Sequence, residues 1–449
     1  MAKTIKLNKG LDIKLLGEAN QSITEVNSKL FALKPTDFIG AFPKILKKPG
    51  EEVKAGTTVF YDKYRENIRI TSPVSGKVTD IIRGEKRKVL EIRIEADGKD
   101  EYEDFGSANP ADLDRAAIIE KLQKSGVWNL IRQRPYSIVA DPELTPKNIF
   151  ISAFDSAPLA QDYDFILKGS ESLFATGLEA LAKLTDGKIH LGLKANKEHS
   201  SAFTNAKNVE LTYYQGPHPA GNIGTQANKV APINKGDDIW YCDPQAVVTI
   251  GRLFQEGRYN AEKIVALAGS EVVKPHYFKI KAGACISPLI KENLTNGELR
   301  FISGNVLTGD KIEKDGYLSF YHNMFTVIPE GKERAFFGWL IPSPKKHTFY
   351  RTGLSWLTPK KKYRLNTNLN GGERAFVVSG AFEKVFPLDI MPIPLIKSIM
   401  YNDIDEMEQL GIYEVDEEDF ALCEYISTSK INIQEIVRNG LNDLRKELS

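Results

Sequence analysis

The sequence predicts a multidomain chain that combines α+β and α/β units, and three observations carry that expectation. Its 449 residues, 42% of them hydrophobic, exceed what one core organises and suit three or four domains of roughly 100–150 residues. Between Lys44 and Ile94 short β-rich runs alternate with turn signals, whereas from about residue 136 strand-like runs alternate with helical ones. The C-terminal segments carry apolar residues at helical spacing.

Charge and cysteine content narrow the function classes. Lys plus Arg (60) nearly cancels Asp plus Glu (59), for a formal charge of +1, so no global field collects polyanions and nucleic acid is not an expected partner. No stretch reaches the roughly 20 apolar residues that cross a bilayer, and the N-terminal MAKTIKLNKGLDIKLLG lacks the apolar core of a secretory signal. The expectation is a chain soluble when expressed alone, with membrane contact through partners. Cys242, Cys285 and Cys423 lie far apart and in no CxxC pair. That spacing argues against a disulfide framework, a self-contained zinc site or an iron–sulfur site, and for isolated buried thiols.

Taken in order, residues 1–105 read as an all-β unit: KKPGEEVKAGTTVFY, ENIRITSPVSGKVTDII and KVLEIRIEA are strand runs punctuated by turns. The pairing of GEEVKAG with SPVSGKV resembles the barrel-sandwich hybrid of biotinyl and lipoyl carrier domains. In those carriers an exposed hairpin lysine is modified; here two extra residues separate Lys63 from the following Ser-Pro, so Lys63 reads as a solvated lysine. Residues 106–268 read as a Rossmann-like parallel α/β domain with a helical lead-in. The lead-in ADLDRAAIIEKLQKSGVW carries Leu113, Ala116, Ala117, Ile119 and Leu122 near helical spacing and ends at Gly126. Strand runs KNIFISAF, KIHLGLKA, NVELTYY, DIWYC and KIVALAG then alternate with helical SESLFATGLEALAKLT and DPQAVVTIGRLFQEG. Residues 269–325 have a ββαβ-like order suited to a small β-grasp unit of the SLBB type, with a helix expected at ISPLIKENL. Residues 326–449 begin irregular and β-like (HNMFTVIPEGKERAFFGWLIP) and end as a helical domain whose last helix presents Ile433, Ile436, Val437, Leu441, Leu444 and Leu448.

The loop GPHPAGNIGT (216–225) follows a strand, where ligands of open α/β sheets bind. Pro217 and Pro219 delete two backbone donors, so a phosphate finds too few N–H groups there. His218 has no HxH or HExxH partner, which disfavours a metal. It remains either a turn histidine satisfied by backbone or a contact for a ligand or partner.

KGLDIKLLG, SPVSGKV, RQRPYS, FISAFDSAPLA, GPHPAG, RFISGNVLTG, GYLSFYHNMFTVIPEGKERAFFGWL and DEEDFALCEY, in this order, resemble the A-subunit family of the bacterial sodium-translocating NADH:quinone oxidoreductase. More distantly the chain resembles the C subunit of the Rnf complex and the flavin-bearing NADH-oxidising subunit of complex I. The resemblance implies a peripheral subunit on the cytoplasmic face of the bacterial inner membrane, within a six-subunit complex that passes electrons from NADH to quinone and moves sodium outward. It also implies that NADH oxidation, the flavins and the iron–sulfur centre belong to other subunits, that a membrane-embedded subunit is a neighbour, and that this chain binds no cofactor of its own. Two other readings stand beside it: a flavin- and NADH-binding dehydrogenase like the complex I relative, and a pure assembly scaffold.

A quinone headgroup needs a flat apolar slot and donors at its carbonyl oxygens. DFIGAF offers Phe38, Ile39 and Phe42, and IRQRPYS offers Arg132, Arg134 and Tyr136; corresponding stretches in the family are associated with quinone proximity. The plain alternatives are a buried strand for the first and, for the second, a linker whose arginines pair with local acids. No residue pair specifies acid–base work, so the catalytic residues stay unassigned.

Overall fold

The computed structural model of the chain describes residues 3–332, 346–350 and 355–447. Residues 333–342 of the irregular stretch and Leu448 of the final apolar stripe lie outside them.

A seven-stranded sheet runs in the order Lys3–Lys6, Val209–Gln215, Lys188–Lys194, Asn148–Ser152, Ile239–Cys242, Arg132–Arg134, Ile138–Val139. The first five strands are mutually parallel and the last two antiparallel. Asn148–Ser152 is buried along its whole length, as a strand covered on both faces must be, and for that reason its sequence reads as a continuous apolar run. Helices Glu171–Ala182 and Pro244–Glu256 pack on one face. They meet closely because both contribute a glycine: a Cβ on Gly251 would stand 1.8 Å from the Leu173 carbonyl oxygen, and one on Gly177 2.1 Å from that of Val247. Asp243 caps the second helix, its Oδ1 accepting from the amides of Gln245 at 2.8 Å and Ala246 at 3.0 Å.

A four-stranded and a three-stranded sheet form the N-terminal sandwich, with alternate residues Ile68 and Ile70, and Ile92 and Ile94, turned into its core. Lys63 is exposed at the tip of the hairpin joining Thr58–Asp62 to Arg65–Thr71. A six-stranded mixed sheet has the order Asp310–Ile312, Leu299–Ser303, Met324–Pro329, Glu262–Ala268, His276–Lys281, Asn20–Glu25.

Three sequence readings are corrected here. The run KIVALAG, expected in the parallel α/β sheet, pairs antiparallel with His276–Lys281 and parallel with Met324–Pro329. Two strands from the first 25 residues leave the sandwich: Lys3–Lys6 extends the parallel sheet beside Val209–Gln215, and Asn20–Glu25 edges the six-stranded one. The helix expected at ISPLIKENL spans only Ser287–Ile290, because Pro288 suits a first turn and the polar residues after Ile290 offer no apolar face to prolong it.

The C-terminal helices Pro392–Tyr401, Ile404–Gln409, Ala421–Ile426 and Ile433–Glu447 build a second core around Leu395, Ile396, Val437, Leu441 and Leu444, into which Ile13 and Leu15 also pack. Cys242, Cys285 and Cys423 are all buried free thiols.

Candidate functional site

The parallel strands Asn148–Ser152 and Ile239–Cys242 end together, and a crevice opens over their carboxyl ends. It has two adjoining parts that share a wall. An inner cavity of about 190 Å³ is bounded by Arg132, Tyr163, His218, Tyr241, Tyr321 and His322. An outer cavity of about 790 Å³ includes Ile39, Leu90, Arg93, Ile312 and Tyr317 in its walls. Arg132, Thr308, Tyr321, His322 and Glu418 border both.

Arg132 lies at the junction. Strand pairing sets it opposite Tyr241, and its guanidinium is sandwiched between the rings of Tyr241 and Tyr321, 4.7 and 4.6 Å from their centroids. Both rings are fixed from behind: the Tyr241 hydroxyl donates to Ser137 Oγ at 3.0 Å and the Tyr321 hydroxyl to the Asn129 carbonyl at 2.8 Å. Phe38 is buried 5.9 Å from the Tyr321 ring and 5.1 Å from Phe320, so it supports the wall from the sandwich side. Among the described residues, the Arg132 side chain makes no hydrogen bond or ion pair, its contacts being the two rings, and it lines both cavities.

Arg134, two residues along the same strand, behaves differently. It is fully buried, with Nη1 2.7 Å from Asp419 Oδ2 and Nη2 2.7 Å from Glu418 Oε1. The sequence reading treated it as a ligand contact or as a partner of local acids. The structure does pair it with acids, but not local ones: they come from the turn Asp416–Asp419, some 280 residues away. Arg438 of the last helix completes the cluster, bonded to Asp416 at 2.5 Å, to Glu417, and to the Tyr136 carbonyl at 2.7 Å. This network clamps the C-terminal helices to the α/β sheet. Tyr136 therefore serves through its backbone, while its ring packs with the C-terminal core rather than in the crevice.

The remaining candidates separate in the same way. Ile39 borders the outer cavity. Phe42 is 57% exposed, set edge-on to Tyr64 at 5.0 Å on the sandwich surface, and contributes nothing to the crevice. DFIGAF is a turn following the short helix Pro35–Asp37 rather than a buried strand. His218 borders the inner cavity with its Nδ1 3.0 Å from Ser156 Oγ; burial pushes the imidazole down to about 4, so it is neutral at physiological pH. In its loop the amides of His218, Ala220, Gly221 and Asn222 donate to Asp12, to the carbonyls of Pro217 and Pro219, and to Ser156 Oγ. Those four donors are committed internally, and none is left to cradle a phosphate.

Sequence reasoning missed Tyr241, Tyr321, His322 and Glu418. His322 accepts or donates at Ser303 Oγ over 2.9 Å, and burial, helped by Lys263, Lys34 and Arg132, pushes it down to about 3. These residues lie in the stretches DIWYC, GYLSFYHNM and DEEDF, but nothing in their spacing says that the folded chain gathers them. Among the described residues there is no group of three or more His, Cys, Asp or Glu side chains placed to hold a metal ion.

The fold defines a class: a mixed α/β protein in which an N-terminal barrel-sandwich hybrid, a parallel α/β unit and an SLBB-type sheet converge on one crevice, with a helical domain latched to it. The family models that match are the NqrA N-terminal barrel-sandwich hybrid domain over residues 5–97, the NqrA second alpha/beta domain over 113–259 and the NQRA C-terminal domain, of SLBB type, over 264–314. The A subunit of the Na(+)-translocating NADH-quinone reductase of Neisseria meningitidis serogroup B is 37% identical over 99% of this chain and 100% of its own length. The protein of the same description from Marinomonas sp. is 36% identical over 98% and 99%. A chain of an NAD+-reducing [NiFe]-hydrogenase aligns structurally at 13% identity over 76% of this chain and 62% of its own, with a TM-score of 0.39. The chain belongs to the NqrA family, the A subunits of the Na+-translocating NADH-quinone reductase.

Proposed function

We propose that this chain serves the quinone end of a sodium-translocating NADH:quinone oxidoreductase, and that the crevice receives the quinone. The observation that carries the proposal is Arg132: a cation held flat between two tyrosine rings, without a hydrogen-bond partner among the described residues, at the carboxyl ends of a parallel sheet. A quinone carbonyl oxygen is a matching acceptor, and reduction places negative charge on that oxygen, which a fixed guanidinium stabilises more than it stabilises the neutral ketone. The inner cavity takes the headgroup, and the outer cavity, with Ile39, Leu90 and Ile312 in its wall, takes the start of the isoprenoid tail.

The chain works without a flavin or cluster of its own and receives electrons from carriers in other subunits. Its three thiols are separate and buried, and the donors of its loop 216–222 are already bonded. It sits on the cytoplasmic face of the inner membrane, held by a membrane-embedded subunit. No helix among the described residues is long and apolar enough to cross a membrane, which fits attachment through a partner. The complex couples this electron transfer to outward sodium movement.

The test is Arg132→Gln in the assembled complex. A charge-assisted contact is worth about 1.5–3 kcal/mol, so the Michaelis constant for quinone should rise roughly ten- to a hundredfold while thermal stability holds. An unchanged quinone KM places the quinone elsewhere.

A further inference from the structure

The motif DEEDF stands out in the sequence, and clamping the C-terminal helices does not use all of it. Asp416, Glu417, Glu418 and Asp419 face three guanidinium groups, Arg132, Arg134 and Arg438, in one cluster in which Asp416 and Asp419 are buried and Glu417 and Glu418 half-buried. Four carboxylates against three cations leave one negative charge in excess, and the low dielectric of the interior favours relieving it by retaining a proton on one of the acids. Asp416 is the least suited to hold it, since it accepts from Arg438 and Ser137 and its own turn is capped through it. Asp419 is fully enclosed against Arg134 and the first turn of helix Ile223–Val230, where a Cβ on Gly224 would lie 2.5 Å from its carboxylate oxygens. Glu417, which burial and the neighbouring Asp416 also push up, is bonded to Arg438 and borders only the outer cavity, away from the inner one. Glu418 differs from all three in its position: its Oε1 is held by Arg134 at 2.7 Å, its Oε2, like the sealed Oδ1 of Asp419, has no hydrogen bond among the described residues, and it alone of the four borders both cavities beside Arg132.

The geometry points to Glu418 as the proton donor to the quinone oxygen during reduction, a role that rests on the quinone reading of the crevice. Reduction of the quinone to the hydroquinone takes up two electrons and two protons. The electrons come from a reduced flavin or iron–sulfur carrier in another subunit of the complex. As negative charge develops on the carbonyl oxygen beside Arg132, the carboxyl O–H bond of Glu418 breaks and an O–H bond forms on the quinone, leaving Glu418 as a carboxylate paired with Arg134. Water in the outer cavity reprotonates it, and a second cycle or direct uptake from water supplies the other proton.

The groups facing Glu418 are Arg132 and Arg134 from their strand, Tyr241 from the neighbouring strand, Tyr321 and His322 across the crevice, and Asp416, Glu417 and Asp419 from its own turn, with Arg438 behind them. His322 is neutral through the working range, so the local balance is between the arginines and the acids. Burial, opposed by Arg134 and assisted by Asp419 and Asp416, pushes the Glu418 carboxyl up to about 7.

The experiment is single-turnover quinone reduction by the whole complex pre-reduced with NADH, followed against pH in the wild type and in Glu418→Gln, Glu418→Asp and Arg132→Gln. A donor must carry its proton, so the wild-type rate should be maximal on the acid side and fall as the pH rises above about 7. Glu418→Gln should slow the step about a hundredfold or more, with the quinone concentration dependence nearly unchanged, and should abolish the alkaline fall. Glu418→Asp should recover part of the rate and retain an alkaline fall at a displaced pH. If Arg132→Gln weakens quinone binding while Glu418→Gln keeps the wild-type rate and pH profile, the crevice stands and the donor role is overturned. If Arg132→Gln leaves quinone binding unaffected, the crevice reading fails and takes the donor role with it. Should Glu418→Gln not assemble, the aspartate variant decides, and a profile superimposable on the wild type overturns the assignment.

Discussion

Arg132 and Arg134 point to the same face of one strand because side chains alternate along it, yet the fold gives them opposite tasks. Arg132 ends over open space between two tyrosines, whereas Arg134 runs beneath the turn Asp416–Asp419 and is sealed there. Removing one partner of a buried ionic cluster leaves the others uncompensated, at a cost of about 3–5 kcal/mol. Arg134→Gln should therefore lower the melting temperature of the isolated chain markedly, and Arg132→Gln should leave it within a degree or two; differential scanning calorimetry of the two single variants separates them. A double variant is not a clean probe of ligand binding, because half of it breaks a structural clamp.

Two histidines in the wall of the crevice, His218 buried and His322 half-buried, make stability depend on pH. His218 and His322 are pushed down to about 4 and about 3, both chiefly by burial, from an ordinary value near 6.5. The fold thus favours the neutral rings, so their contribution is complete above pH 6.5 and is lost as the pH falls toward 4, where the unfolded chain binds protons that the folded chain refuses. For His218 this amounts to about 3 kcal/mol. Replacing it with Gln should flatten that part of the melting temperature profile between pH 6.5 and 4.5; a profile parallel to the wild type would mean the ring is solvated.

At the scale of elements, helices Glu171–Ala182 and Pro244–Glu256 leave no room for a side chain where they cross. A methyl group on Gly251 would fall 1.8 Å from a backbone carbonyl oxygen of the facing helix, and backbone cannot step aside as a flexible side chain can. Gly251→Ala should cost about 1–3 kcal/mol by overpacking, although alanine is the better helix former by about 1 kcal/mol; chemical denaturation measures which effect dominates, and the contact distance favours the clash. The second helix begins at Asp243, directly after Cys242 at the floor of the inner cavity, so loosening this pair should also disturb the crevice.

At the scale of the whole molecule, the N-terminal segment ties separate units together. Lys3–Lys6 closes the edge of the parallel sheet, Ile13 and Leu15 enter the C-terminal core, and Asn20–Glu25 edges the six-stranded sheet before the chain begins the sandwich. Deleting residues 1–8 exposes the hydrogen-bonding edge of Val209–Gln215. Amide exchange of that strand should accelerate by roughly tenfold or more while the sandwich strands Gly76–Arg83 and Val89–Ala96 keep their protection. Uniform acceleration throughout the chain would show that the segment stabilises the molecule as one cooperative unit instead.

The sequence by itself determined what is local. Period-two runs and turns set the sandwich strands, the alternation of apolar runs with amphipathic stretches set the parallel sheet and its helices, Gly126 ended helix Arg115–Ser125 in a left-handed cap, and Pro217 and Pro219 removed two amide donors from loop 216–222. It also singled out Ile39, Arg132 and His218, which the crevice does bring together. The tertiary structure alone decided which of two arginines on one strand face is free and which is sealed. It also decided that KIVALAG and the first strands serve sheets other than their neighbours in sequence, and that Tyr321, His322 and Glu418 stand beside Arg132. The physical reason is the range of the forces involved. Backbone geometry and apolar periodicity act over a few residues and leave their mark in the local order of amino acids, whereas ion pairing, ring stacking and strand-edge pairing join residues separated by as many as 344 positions and leave no periodicity along the chain.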